Sequence, residues 1–183
     1  KNFDIDKLIQ SPFLKLDKLK TDKIPLPMNI LGNRDNSKGL DISEESVINN
    51  YKVIKKLNNI NAFSIINGED IKSDKKLDII SPSDFTLLGS KYFATDQIVD
   101  EAINSLKDYS ISWKNFPIKK KSEIILNFAN LIEENFKEII EICAQESGKS
   151  IKNSIAEIRE AVDFCRYYSK EANLIFKEQI LKG

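Results

Sequence analysis

The sequence predicts an α+β chain, mostly long α-helices with a small β-hairpin region between them. Three observations predict it. From Ile151 to Ala172, residues Ile151, Ile155, Ile158, Val162, Cys165, Ser169 and Ala172 recur at alternating steps of four and three. That spacing is the stripe of one amphipathic helix. A second stripe at helical spacing runs through Ile125, Phe128, Ala129, Ile132, Phe136, Ile139, Ile140 and Cys143. Between residues 62 and 94 the period shortens, and Asn67-Gly68 offers the two positive φ values that a type I′ hairpin turn needs.

Composition bounds the possibilities. The chain has 183 residues and no formal net charge. It is long enough to bury a core, and its charge balance argues against a generic nucleic-acid binder. No run of apolar residues is long enough for a membrane span, and the start, KNFDIDKLIQSPF, lacks a signal peptide's apolar stretch. Cys143 and Cys165 fall at apolar helical positions, which suits reduced thiols in a cytoplasmic protein better than a disulfide. Histidine is absent, so Ser-His and Cys-His pairs and histidine metal sites are excluded.

Taken in order, residues 1–42 read as a linker or tail. Ile5, Leu8 and Ile9 suit one short helical turn, Pro12 interrupts it, LDKLKTDK is a solvated connector, and IPLP (Ile24 to Pro27) is extended. Residues 29–42 are dominated by turn residues. Ser43 is expected to cap a helix over 43–57 with Val47, Tyr51, Ile54 and Leu57 on its apolar side. The region 62–94 supplies the hairpin and two further short strands, LDIISP and FTLLGSKYFA, with Pro82 and Gly89 as breaks. Thr95 caps a helix over 96–108 whose Ile98, Val99, Ala102, Ile103 and Leu106 face inward. Trp113 is expected to pack in the core before Pro117, which opens a helix over 117–147. Gly148 ends that helix with a left-handed cap. The last helix covers 150–177, antiparallel to the one before it.

Two stretches resemble one family. AEIREAVDFCRYY (Ala156 to Tyr168) is similar to the helix upstream of the dinucleotide-binding strands in the aldehyde dehydrogenase half of bifunctional proline utilisation A proteins. IPLPMNILGNRDNSKGLDIS is similar to the segment joining the two halves of those proteins, through Leu31-Gly32, Arg34 and the N-S-x-G-L-D run from Asn36 to Asp41. Ordinary aldehyde dehydrogenases do not carry that segment. The hairpin, the Ser81-Pro82-Ser83-Asp84 turn (where Asn-Pro is commoner) and the Glu146 to Lys149 corner also resemble the opening of aldehyde dehydrogenases.

The resemblance implies that residues 43–183 are the N-terminal layer of an aldehyde dehydrogenase fold, an incomplete part of that domain. It implies an NAD-dependent oxidation of glutamate semialdehyde, in equilibrium with pyrroline-5-carboxylate, to glutamate in proline catabolism. FAD would belong only to the family's proline dehydrogenase half. The family's nucleophilic cysteine, base glutamate, cofactor-binding strands and oligomerisation hairpin are expected beyond Gly183, so this chain is expected to be inactive alone. Its expected partner is the downstream remainder of the dehydrogenase, or a second copy met through apolar helix faces. The alternative is a non-catalytic helical scaffold or gene remnant that self-assembles.

The candidate site residues are few. Gly148-Lys149-Ser150 is not a phosphate loop, because Cys143 stands where that motif needs glycine and no strand precedes it. Glu157 and Glu160 read from the residues alone as solvated charges pairing with Arg159 or Lys152. The resemblance gives Glu160 another role: it stands three residues before Asp163-Phe164, where the family has a glutamate near the aldehyde pocket. A carboxylate there suits the ammonium of glutamate semialdehyde. Asp163 and Arg166 are structural. Neither cysteine has a base or oxyanion donor nearby in sequence, so neither is a nucleophile, and no catalytic, cofactor or metal residue is assigned.

Overall fold

The computed structural model describes residues 4–11, 13, 24–51 and 55–177. Pro12, all of LDKLKTDK, Ile54 and the last six residues lie outside them. The described elements are α1 (Ile5–Leu8), a 3₁₀ turn (Pro27–Asn29), α2 (Glu45–Asn49), β1 (Ile60–Ala62), β2 (Ser64–Ile66), β3 (Glu69–Ile71), β4 (Lys76–Ile80), β5 (Leu87–Tyr92), α3 (Asp96–Asn115), α4 (Ile118–Glu134), α5 (Phe136–Ser147) and α6 (Ile151–Ile175). The α+β class holds.

The core lies between α4, α5 and α6. Ala129, Phe136, Ile140, Ile155, Ile158 and Val162 are buried together, and Leu40, Ile42 and Tyr51 pack against them from the preceding segment. The α6 stripe is the one the periodicity predicts: Ile155, Ile158, Val162 and Ser169 are buried. Ser150 caps α6, its hydroxyl accepting from the Asn153 amide. Near opposite ends of α4 and α6, the Ser122 hydroxyl donates to the Ser169 carbonyl (3.1 Å) and the Ser169 hydroxyl to the Ser122 carbonyl (3.0 Å). These reciprocal bonds satisfy buried hydroxyls and let the helix backbones approach closely.

The predicted 117–147 helix is two helices. Asn135 sits between them at φ −98° and ψ 20°, outside helical ψ. Its backbone N–H (3.1 Å) and its side-chain amide (2.8 Å) both donate to the Leu131 carbonyl, so the turn out of the helix keeps that carbonyl bonded. The cap at Gly148 is left-handed, φ 66°.

Among the described residues, the predicted 43–57 helix is helical only over α2, and residues 55–57 are not helical; 52–54 lie outside the described residues. Ser43 does not cap it: its backbone N–H and hydroxyl both donate to the Asp41 carboxylate, at 2.9 and 2.6 Å. Those bonds hold the Asp41 carboxyl below its ordinary pKa. Further on, the Lys55 N–H donates to Glu141 (3.2 Å), the Leu57 N–H to Gln145 (2.8 Å), and the Gln145 amide to the Lys55 carbonyl (2.8 Å). Side chains of α5 thus take over the backbone groups that a helix would have used.

The hairpin is as expected. β2 and β3 pair antiparallel, with Asn67 at φ 54° and Gly68 at φ 85°. The other sheet has strand order β1-β5-β4, with β1 parallel to β5 and β4 antiparallel to it. Gly89 does not break a strand. It lies inside β5 opposite Ile60, where a Cβ would fall 1.6 Å from the Ile60 carbonyl oxygen.

α3 is longer than predicted because nothing before Phe116-Pro117 interrupts it. Phe116 takes φ −68° and ψ 132°, the extended geometry preferred before proline. Thr95 caps it as expected. Its inward face is not covered, however: Val99, Ile103 and Leu106 are exposed, and only Ile98 and Ala102 are half-buried. Trp113 is likewise 42% exposed rather than in the core. It stacks on Phe116 (5.7 Å between centroids), and the Lys121 ammonium lies over its ring at 5.0 Å.

Candidate functional site

α6 presents two faces that carry chemistry. One holds the segment 34–38. The other exposes Glu160 and a row of aromatic rings.

The first face is a polar junction. Ser37 is fully buried. Its backbone N–H donates to Asp163 Oδ1 at 2.6 Å, and its hydroxyl to Asp163 Oδ2 at 2.9 Å. Arg159 Nε donates to the Ser37 hydroxyl at 3.2 Å. Arg34 donates to the Asp163 carbonyl at 3.4 Å, and its guanidinium lies 5.3 Å from the Tyr167 ring centroid. Arg166 donates to the Asn36 carbonyl and to Glu133 Oε2, the latter at 2.8 Å. Glu133 Oε1 accepts from the Lys38 amide at 2.7 Å. Glu133 and Arg166 are both enclosed, with side chains only 5% and 10% exposed. A buried charge pair is tolerable only when its enclosed polar atoms are also bonded, and among the described residues no fully buried side-chain nitrogen or oxygen lacks a hydrogen-bond partner. Asp163 and Arg166 have the structural role expected of them. Ser37 and Glu133 escape the sequence reading, because no local pattern pairs residues this far apart in the chain.

The second face is open. Glu160 is exposed, and no described residue bonds or pairs with its carboxylate. Glu157 instead pairs with Lys149, not with Arg159 or Lys152. Phe164 and Tyr167 follow Glu160 at helical spacing, and both are exposed, as is Tyr168. The Phe164 and Tyr168 rings stack at 6.1 Å, and Tyr167 meets Tyr168 edge-on at 5.2 Å. Beside them an apolar groove of about 300 Å³ runs between α4 and α6, lined by Ile118, Ile125, Phe164, Cys165 and Tyr168 among others. A carboxylate beside exposed rings can take a cationic group and cover its apolar stem.

The cysteines are unsuited to attack. Both are half-buried, and burial pushes both thiols above their ordinary pKa. Because the thiolate is the reactive species, Cys143 and Cys165 should react with an aromatic disulfide reagent at pH 8 more slowly than glutathione does. Their rates should climb as pH rises. A reaction as fast as glutathione's would contradict the burial.

Among the described residues no glycine-rich loop opens a helix after a strand. The Gly148 amide donates to the Ala144 carbonyl and the Ser150 hydroxyl accepts from Asn153, so the corner is committed to helix capping. The parallel pair β1–β5 has no glycine-rich turn leading from strand to helix. Among the described residues no three metal-ligating side chains come together, and no helix is long and apolar enough to cross a membrane.

Comparison with known proteins places these elements. The model of the aldehyde dehydrogenase family matches residues 70–182. The bifunctional protein PutA of Escherichia coli (strain K12) is 29% identical over 179 residues, covering 90% of this chain and 14% of that protein. The 1-pyrroline-5-carboxylate dehydrogenase of Staphylococcus aureus (strain MW2) is 30% identical over 107 residues, covering 58% of this chain and 21% of that enzyme. The chain therefore spans a minor part of these relatives. In fold it is similar to the delta-pyrroline-5-carboxylate dehydrogenase of Mycobacterium tuberculosis bound with NAD and cobalamin, with a TM-score of 0.72 and 19% identity. That match covers 87% of this chain and 30% of the other.

Proposed function

Because the chain belongs to the aldehyde dehydrogenase family, we propose that it is the opening layer of an enzyme oxidising glutamate semialdehyde, in equilibrium with pyrroline-5-carboxylate, to glutamate. One observation carries this reading. The Asn36 to Asp41 run, which resembles the linker of proline utilisation A proteins, is bonded into α6 through Ser37 and Asp163. The likeness to PutA accordingly covers 90% of the chain, while the family model begins only at residue 70. In this reading Glu160 receives the substrate's ammonium and the neighbouring rings cover its carbon chain. NAD serves the complete enzyme and FAD a proline dehydrogenase half, neither held by these residues. The chain acts in the cytoplasm and is inactive by itself.

Its partner in this reading is the remainder of the dehydrogenase. Large apolar side chains that the periodicity turns inward are uncovered, including Ile103 at 44%, Ile125 at 41% and Phe128 at 56% exposure. Uncovered apolar area of this kind marks a surface built to be packed against. The same faces favour self-association if no remainder is present, which sedimentation would reveal as concentration-dependent growth in mass.

Mixing the chain with the downstream portion of such an enzyme tests the reading. Together they should form glutamate and NADH from pyrroline-5-carboxylate, and neither should do so alone. Two folded partners that stay inactive together would overturn it. In the active assembly, Glu160→Gln should raise KM for the semialdehyde roughly 10–100-fold, the worth of a charge-assisted hydrogen bond of about 1.5–3 kcal/mol. An aldehyde of equal length without the ammonium should bind unchanged. Equal loss for both aldehydes would remove Glu160 from substrate recognition.

A further inference from the structure

A second cleft lies between residues 33–35, α4 and α6. It has a volume of about 390 Å³ and is lined by Arg34, Arg166, Lys170, Asn33, Asn130 and Asn173. Leu126 adds an apolar wall, and Asp35 is the carboxylate at its edge. That volume falls in the roughly 300–1,000 Å³ range of small-molecule clefts.

The cationic groups here are not all spoken for. Arg166 is matched by Glu133 and the Asn36 carbonyl. Arg34 uses one nitrogen, Nη1, on the Asp163 carbonyl, which leaves its Nε and second terminal nitrogen as donors. Lys170 is half-buried, and no described residue pairs with its ammonium. The side-chain amides of Asn33 and Asn130 make no bond to any described residue. With Arg166 balanced by Glu133, the charges of Arg34 and Lys170 outweigh Asp35, leaving an excess of positive charge. The donors outnumber the acceptors, and the wall beside them is partly apolar.

We propose that this cleft binds a small organic anion, its carboxylate or phosphate group held by Arg34 and Lys170 and its short stem against Leu126. A guanidinium and a flexible ammonium complement an oxyanion geometrically as well as electrically. The site meets the Glu160 face only where Arg34 lies over the Tyr167 ring, and it uses neither Glu160 nor the apolar groove.

The test uses the 183-residue chain itself. Inorganic phosphate and succinate are titrated separately at constant ionic strength, followed by amide NMR shifts. Saturable binding that shifts residues around 33–35 and 166–173 is expected for at least one of them. Phosphate alone saturating would mean a phosphate ligand, and succinate alone a carboxylate ligand. Lys170→Ala should weaken that binding at least tenfold, with an unchanged circular dichroism spectrum. Asn130→Asp, which adds a negative charge at an exposed position of the cleft, should abolish it. Lys107→Ala on α3 should bind normally. The proposal fails if neither probe saturates, or if Lys170→Ala and Asn130→Asp bind as the parent chain does.

Discussion

Glu133→Ala should lower the unfolding free energy by about 3–5 kcal/mol, the cost of stranding one partner of a buried ion pair. Against a typical total of about 5–15 kcal/mol, that removes a large share of the stability. The Arg166 side chain, 10% exposed, would keep its charge and lose the carboxylate 2.8 Å away. The Lys38 amide would lose its acceptor at 2.7 Å as well. Urea unfolding followed by circular dichroism reads the loss directly. Glu133→Gln should cost less, since the amide oxygen still accepts a bond. Glu133→Ala combined with Arg166→Met should recover much of the stability, because no unpaired charge then remains. A Glu133→Ala chain within 1 kcal/mol of the parent would show that water reaches the pair freely.

Gly89→Ala should cost about 3 kcal/mol, the upper end for overpacking. The added methyl would lie 1.6 Å from the Ile60 oxygen and 2.5 Å from the Ile60 carbonyl carbon. Both are backbone atoms, so no side-chain rotation relieves the clash, and β1 must leave β5. The effect should be local: amide exchange at 60–62 and 87–92 should accelerate by at least two orders of magnitude, as about 3 kcal/mol implies. The α4–α6 core should keep its protection. Unchanged exchange in β5 would contradict the parallel pairing.

Local pattern explains why parts of this structure were legible in the sequence. The α6 stripe, the Asn67-Gly68 turn, the Thr95 cap and the Gly148 cap each depend on residues within a few positions of one another. Their sequence signals are the physical causes of the structures. The rest depends on distant partners. The helix expected over 43–57 gives way because Glu141 and Gln145 claim the backbone of residues 55–57 from α5. One expected helix divides at Asn135, whose ψ of 20° no apolar periodicity announces. β1 joins β5 in parallel across 29 positions (Ile60 to Gly89), and a lone glycine inside an apolar run reads more readily as a break. Asp163 and Arg166 could be assigned a structural role from the sequence. Ser37 and Glu133, the groups they hold, could not, since a buried serine in a turn-rich stretch looks like any other turn residue. Apolar periodicity likewise identifies the apolar side of α3 without saying what covers it.

The bond from Ser37 to Asp163 also has a history in time. A nascent chain exposes Ser37 126 residues before its acceptor is made. At about 5–20 residues per second, that delay is roughly 6–25 s. Over that interval Leu40 and Ile42, which end against the α4–α6 core, have no core to join. The polar stretch around them, NRDNSKGLD, keeps the waiting segment hydrated. Synthesis order therefore keeps the segment 34–42 undocked, and open to a chaperone or a protease, until α6 emerges.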